Sequence, residues 1–188
     1  MESDCYLCSA ALSSEQPIAG YQQCPCCGLL QCPMQNVSAI NPPGVIDTRN
    51  FTGELANHIT RINQYIDFRN ILDYGCGNGE FVKYLKHRGY NAYGYDPYVP
   101  GYQEKPSQSF DVISSIESME HFGCHIKEEF DYIASHCKLL YMVTGIYRGE
   151  RRWHYALPQF GHCSIISEDT IRYLKTLYKD ITIIVRSG

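Results

Sequence analysis

Three sets of residues in this chain have types and spacings that can do chemistry. The first is sulfur. Cys5-Tyr6-Leu7-Cys8 and Cys24-Pro25-Cys26-Cys27 form two C-x-x-C pairs, with fifteen residues between Cys8 and Cys24. Two pairs at that distance predict a closed zinc site of the ribbon type, each pair on a tight knuckle. Cys26 competes with Cys27 for the fourth position, and Cys32 is surplus. Six of the ten cysteines fall in the first 32 residues. That clustering favours metal over a disulfide framework, which would be spread more evenly; an iron–sulfur cluster is the other alternative. A four-thiolate site has no open position, so the expected metal is structural.

The second set is a glycine loop followed by an acid. Asp73-Tyr74-Gly75-Cys76-Gly77-Asn78-Gly79 precedes Asp96, which lies 19 residues after Gly77. Glycines let the backbone approach a ligand and adopt angles closed to other residues. An acid at that remove, on the end of the next strand, can accept hydrogen bonds from ribose hydroxyls. A dinucleotide site wants G-x-G-x-x-G; here the third glycine is Gly79 and the next residue is Glu80, which would face a pyrophosphate poorly.

The third set is Glu117, Glu120 and His121, with His154 and His162 later in the chain. Glu117, His121, His154 and His162 are the candidate proton acceptors, His162 first and Glu117 second, because a histidine near neutral pKa suits proton abstraction. Read as a helix, Glu117, Glu120 and His121 share one face and could hold a divalent metal, with His154 or His162 as a further ligand.

The elements that must position these groups are legible from periodicity. Leu55, Ile59, Ile62 and Ile66 give one apolar face to a helix from about Thr52 to Asp67. Ile71–Tyr74 reads as a buried strand, 80–88 as a helix stopped by Gly89, and Asn91–Asp96 as a second strand. These form one β-α-β unit. Strands follow at 110–116, 139–144 and 181–185, with helices near 126–137 and after the cap Ser167. Only thirteen residues, four of them Pro or Gly, lie between Asp96 and Phe110. That is too short for a helix and a strand, so one pair is expected to be missing. A mostly parallel α/β sheet of five or six strands is the expected architecture. The domain boundaries are expected at 1–36 for the four-cysteine module, 37–50 for a linker broken by Asn41-Pro42-Pro43-Gly44, and 51–188 for the α/β domain.

A net charge of −4 in 188 residues argues against broad attraction to nucleic acid. There is no run of about 18 apolar residues to span a membrane. The acidic start Met1-Glu2-Ser3-Asp4 lacks the basic and apolar regions of a secretory signal, and the expected location is cytoplasmic. About 36 residues cannot bury enough surface to fold unaided, which is why the four-cysteine module is read first as a metal-dependent folding device.

The D-x-G-x-G-x-G string from Asp73 resembles motif I of class I, Rossmann-like S-adenosylmethionine-dependent methyltransferases. The resemblance implies S-adenosylmethionine as cofactor, held by Gly75, Gly77 and Gly79, with Asp73 near its amino-acid end and Asp96 on its ribose. Residues 110–121 resemble the fourth strand and following turn of methyltransferases similar to those of ubiquinone biosynthesis. The E-x-x-E-H of Glu117–His121 is also similar to that of small-RNA terminal ribose 2′-O-methyltransferases, which hold a divalent metal with a later histidine. Zinc-module-plus-methyltransferase chains of this layout resemble enzymes that modify natural products and nucleotide sugars. The expected function is therefore methyl transfer to O or N of a small molecule or sugar. The competing readings are an RNA or protein methyltransferase docked by the zinc module, and a non-catalytic cofactor-binding protein.

Overall fold

The structure is a computed structural model. It describes residues 4–32, 52–158 and 161–187, with the backbone alone at Thr52. The expected linker at 37–50 lies outside the described residues.

Five parallel strands form the main sheet: β3 (Asn70–Tyr74), β4 (Asn91–Tyr95), β5 (Phe110–Ile116), β6 (Cys137–Thr144) and β9 (Thr182–Ser187), in the order β4-β3-β5-β6-β9. Strand β3 is buried along four of its five residues, as expected for a parallel strand covered on both faces. Helices α1 (Thr52–Ile62) and α2 (Glu80–His87) cover one face, with Ile62, Phe81, Val82 and Leu85 packed on Ile71, Val112 and Tyr141. Helices α3 (Ile126–His136) and α4 (Glu168–Leu177) cover the other, with Phe130, Ile133 and Leu174 against Leu72, Ile113 and Leu140. Each large apolar side chain buried this way contributes about 1.5–3 kcal/mol.

The order reverses between β3 and β5. Such a switch point leaves a crevice at the carboxyl ends of the two strands, where ligands bind in open α/β sheets. The glycine loop follows β3, and Glu117 follows β5, so the two sets of chemical residues flank that crevice.

Helix α1 is shorter than its periodicity suggested: residues 63–65 turn, although Ile66 still packs on the same core. Helix α2 stops where expected. Gly89 takes φ +84, and Tyr90 N–H returns to the Leu85 carbonyl at 3.1 Å. Helix α4 opens with a capping box in which the Ser167 hydroxyl accepts from Thr170 N–H at 3.1 Å and Thr170 Oγ1 accepts from Ser167 N–H at 3.2 Å. Residues 97–109 contain neither helix nor strand, so the missing helix–strand pair is real. Lys105 anchors this segment: its ammonium lies over the rings of Tyr74, Tyr95 and Tyr132 and pairs with Glu129 at 2.7 Å.

The Cys-rich segment is not a free appendage. Its strands β1 (Gln22–Gln23) and β2 (Leu30–Gln31) form an antiparallel pair, and β2 pairs in turn with β8 (Ser164–Ser167), which also pairs with β7 (Ile146–Tyr147). Cys5, Leu7, Leu12, Cys24, Cys27 and Leu29 belong to the same buried cluster as Phe130, Ile166 and Leu174. Among the described residues, no helix is long and apolar enough to cross a membrane.

Candidate active site

The cofactor side is built by one local turn. Gly75, Gly77 and Gly79 all adopt positive φ, at +79, +52 and +77. At Gly75 a Cβ would run into Ser118, and at Gly79 into Tyr102. At Gly77 a Cβ would meet nothing within 4 Å: the bare backbone faces open space. That is the cradle a cofactor needs, and the residues fit S-adenosylmethionine. Gly75 and Cys76 N–H both return to the Tyr95 carbonyl, at 2.8 and 3.1 Å, which ties the loop to the end of β4.

Asp96 sits at that end. Its carboxylate accepts from Gly77 N–H at 3.0 Å and Tyr98 N–H at 2.9 Å, which locks its orientation beside the glycine loop. Each oxygen retains a lone pair for a hydroxyl. Asp73 is different. It is buried and accepts from the Ser114 hydroxyl at 2.9 Å. Burial pushes its pKa up to about 7, against the lowering effect of the Ser114 bond. It supports the loop from below. Tyr102, in the shortened 97–109 segment, lies on Gly79 and Gly94 and so walls the site where the missing strand would have been.

The acceptor side is assembled from distant pieces. Glu117, Glu120 and His121 do not share an α-helical face, contrary to expectation. The chain leaves β5 through Glu117 in the left-handed region, at φ +51, and only Met119–His121 forms a single 3-10 turn. A non-glycine residue held there marks a locally over-determined conformation of the kind found at functional sites. The carboxylates still converge, because Tyr155 joins them: its hydroxyl contacts Glu117 Oε2 at 2.9 Å and Glu120 Oε1. Thr144 Oγ1 donates to Glu120 Oε2 at 3.1 Å. Glu120 is fully buried. A Cβ at Gly145 would collide with the Tyr155 ring, so this glycine permits the approach.

Two histidines complete the group. The Nδ1 atoms of His121 and His162 lie 3.1 and 2.6 Å from the carbonyls of Gly161 and Tyr155. An imidazole nitrogen facing a carbonyl carries a proton, so in the neutral ring the lone pair falls to Nε2. The rings lie edge to face, with centroids 5.0 Å apart. Burial, helped by the neighbouring His162, lowers the His121 pKa to about 4 and keeps it neutral. Ligand atoms of Glu120, His121 and His162 all lie within 4.8 Å of one another. His154 does not join them; it is exposed and outside the cluster. Sequence reasoning missed Tyr155 and Thr144 altogether. Gly145, directly after β6, was the available signal for a ring packed close to the backbone.

The sulfur set also converges. Cys5, Cys8, Cys24 and Cys27 lie within 4.8 Å of one another, with Cys5–Cys27 at 3.5 Å and Cys8–Cys24 at 3.4 Å. A tetrahedral zinc with bonds of about 2.3 Å would set its sulfurs about 3.8 Å apart, so this cluster fits the ion. Leu7 N–H donates to Cys5 Sγ at 3.4 Å and Cys27 N–H to Cys24 Sγ at 3.5 Å. The knuckles turn at Ser9 and Gly28, at φ +59 and +74. Cys26 is exposed and Cys32 is buried under Tyr21, so neither belongs to the set.

The family model described as a methyltransferase domain matches residues 45–175. No curated protein matches the chain. The match spans the glycine loop, Asp96, both carboxylates and both histidines, on a parallel sheet with the loop at its switch point. The chain belongs to the methyltransferase-domain family and is a class I S-adenosylmethionine-dependent methyltransferase.

Proposed function

We propose that the chain transfers methyl groups to an oxygen or nitrogen of a small molecule or sugar, with His162 as the proton acceptor. The observation that carries this reading is the pairing of Nδ1 of His162 with the Tyr155 carbonyl, which leaves Nε2 of the neutral ring, beside His121, as the lone-pair nitrogen. S-adenosylmethionine supplies an electrophilic methyl on a sulfonium. Gly75, Gly77, Gly79 and Asp96 would hold it at the ends of β3 and β4. The acceptor lies across the switch point, against Glu117 and the two histidines. Nε2 of His162 takes the proton that an alcohol or ammonium loses on methylation. Glu117 sits beside it as an acceptor for a second hydroxyl. His121, kept neutral by burial, orients the acceptor rather than binding its proton. A net charge of −4 disfavours a polyanionic acceptor such as RNA. The four-cysteine cluster would hold a structural zinc, with all four thiolates committed to it.

The test is a methyl-transfer screen over hydroxylated and amino small molecules, with RNA and protein as comparison acceptors. His162→Ala is expected to lower kcat by about 100-fold or more, the usual scale of general-base loss, with cofactor affinity unchanged. Full turnover by that variant would remove the base, and turnover on RNA alone would replace the acceptor class.

A second reading has its own observation. The one Tyr155 hydroxyl touches both Glu117 and Glu120, and ligand atoms of Glu120, His121 and His162 lie within 4.8 Å of one another. A divalent cation held by Glu120, His121 and His162 would supply the balancing charge and bind an acceptor oxygen directly. Manganese titrated into the zinc-loaded chain, followed by electron paramagnetic resonance, separates the two readings. Stoichiometric binding abolished in Glu120→Gln favours the cation; no binding leaves His162 as the base.

A further inference from the structure

The Cys-rich segment reaches the active site through one side chain. Tyr21 is fully buried, and its hydroxyl donates to the backbone carbonyl of His162. Burial holds the phenol far above its ordinary pKa, so it stays a donor. The contact spans 141 positions of sequence, between the residue before β1 and the residue two before β8. The same short stretch is gripped on every side. Cys32 N–H donates to the Cys163 carbonyl at 3.2 Å, and β2 pairs with β8 through Leu30–Ile165 and Gln31–Ser164. Cys163 N–H donates to the Glu120 carbonyl at 2.8 Å. The His121 ring leans on the Gly161 carbonyl at 3.1 Å. Residues 161–165 are therefore a bar fixed at one edge to the Cys-rich segment and at the other to the carboxylate turn.

We propose that Tyr21 is a positioning residue for His162: the Cys-rich segment, beyond folding itself, holds the backbone of the active-site histidine so that its Nδ1 stays on the Tyr155 carbonyl and its Nε2 stays in the crevice. This rests on the reading of His162 as an active-site group, and serves it equally as base or as ligand. The physical need is specific. His162 is only half-buried, and its ring is held by the Tyr155 carbonyl and by the faces of Tyr155 and His121. A ring so lightly held keeps its tautomer only if its backbone does not move. Tyr21, with its ring packed among Ile18, Leu30, Cys163 and Ile165, is the rigid post that prevents this.

The experiment is nitrogen-15 NMR of the histidine rings in the full zinc-loaded chain, comparing the native protein with Tyr21→Phe. The variant keeps the ring and its packing and removes one O–H. The native His162 is expected to show the Nδ1–H tautomer alone. Tyr21→Phe is expected to show a mixture with the Nε2–H form, while cofactor affinity changes less than twofold. Phe68→Ala, a destabilising change on the opposite face of the sheet, is the control and should leave the tautomer intact. An unchanged tautomer in Tyr21→Phe overturns the proposal, as does a mixture produced equally by Phe68→Ala. The readout needs no acceptor substrate. If His162→Ala keeps full turnover while Tyr21→Phe releases the tautomer, the base assignment has failed and the positioning role stands. On an identified acceptor, Tyr21→Phe should lower kcat about tenfold at unchanged KM, since small misplacements of a catalytic group carry costs of up to about 100-fold.

Discussion

The two halves of the crevice are built in opposite ways. The cofactor half comes from one continuous run, Asp73 to Asp96, in which each contact closes over a few residues or between neighbouring strands. The acceptor half draws on the turn after β5, the end of β6, the loop carrying Tyr155, the 161–163 bar and, through Tyr21, the Cys-rich segment. A local assembly depends on its glycines and one acid. A dispersed one depends on every element that converges on it, and so is the half that distant changes should damage.

The sharpest break of that asymmetry is removal of one of the four clustered cysteines. Cys24→Ser is expected to release β1 and β2 from β8 and to collapse the shared core around Leu7, Leu29 and Ile166. Structural zinc is worth on the order of 10 kcal/mol of apparent binding in small modules, more than the margin by which most domains are stable. Thermal melting and metal content should show a chain that binds less than one zinc and melts far lower. A variant that melts like the native chain would mean that the Cys-rich segment is not held by metal.

Asp96→Ala tests the local half. It removes one carboxylate that receives Gly77 N–H and that, on the proposed function, would accept from the cofactor ribose, and charge-assisted bonds of that kind are each worth about 1.5–3 kcal/mol. Calorimetric titration should show S-adenosylmethionine bound roughly 100-fold more weakly, while the His121 and His162 rings keep their native NMR signature. A change in those rings would show that the halves are coupled.

Tyr155→Phe works the other way. It removes the one hydroxyl that contacts both Glu117 and Glu120, at a cost of about 1–3 kcal/mol in stability. Denaturant unfolding should register that loss, and cofactor affinity should stay within a factor of two. A larger loss of cofactor than of stability would contradict the division.

The smallest effect is in the pH dependence of stability, measured without cofactor. Asp73 carries a raised pKa, about 7 against about 3.9 unfolded, so its contribution is fully present below pH 4 and is lost as pH rises toward 7. His121 carries a lowered pKa, about 4 against about 6.5 unfolded, so its contribution is present above pH 6.5 and is lost as pH falls toward 4. The two oppose each other between about pH 4 and 6.5, and the native melting profile should be nearly level there. Asp73→Asn should expose a profile that rises with pH over that window. A rise already present in the native chain would mean that Asp73 is ionised while folded.

What could be read from the residues alone follows the same division. The β-α-β unit, the glycine turn, the acid, the two cysteine pairs and the Ser167 cap are local patterns: their geometry is set by φ freedom, periodicity and spacing within a few turns of chain. The missing helix–strand pair was a matter of length, since thirteen residues cannot cross a sheet and return. The helical face assumed for Glu117, Glu120 and His121 failed because spacing cannot reveal that Glu117 takes φ +51 and breaks the helix before it starts. His154 and His162, eight positions apart, were both open as the later metal ligand, and only the tertiary structure placed His162 beside Glu120 and His121 and left His154 exposed outside them. Which histidine meets Glu120, why Tyr155 must stand over Gly145, and that Tyr21 reaches the His162 carbonyl are all consequences of long-range packing. Local torsional preferences carry no information about partners more than a hundred residues away; the burial of a common core does.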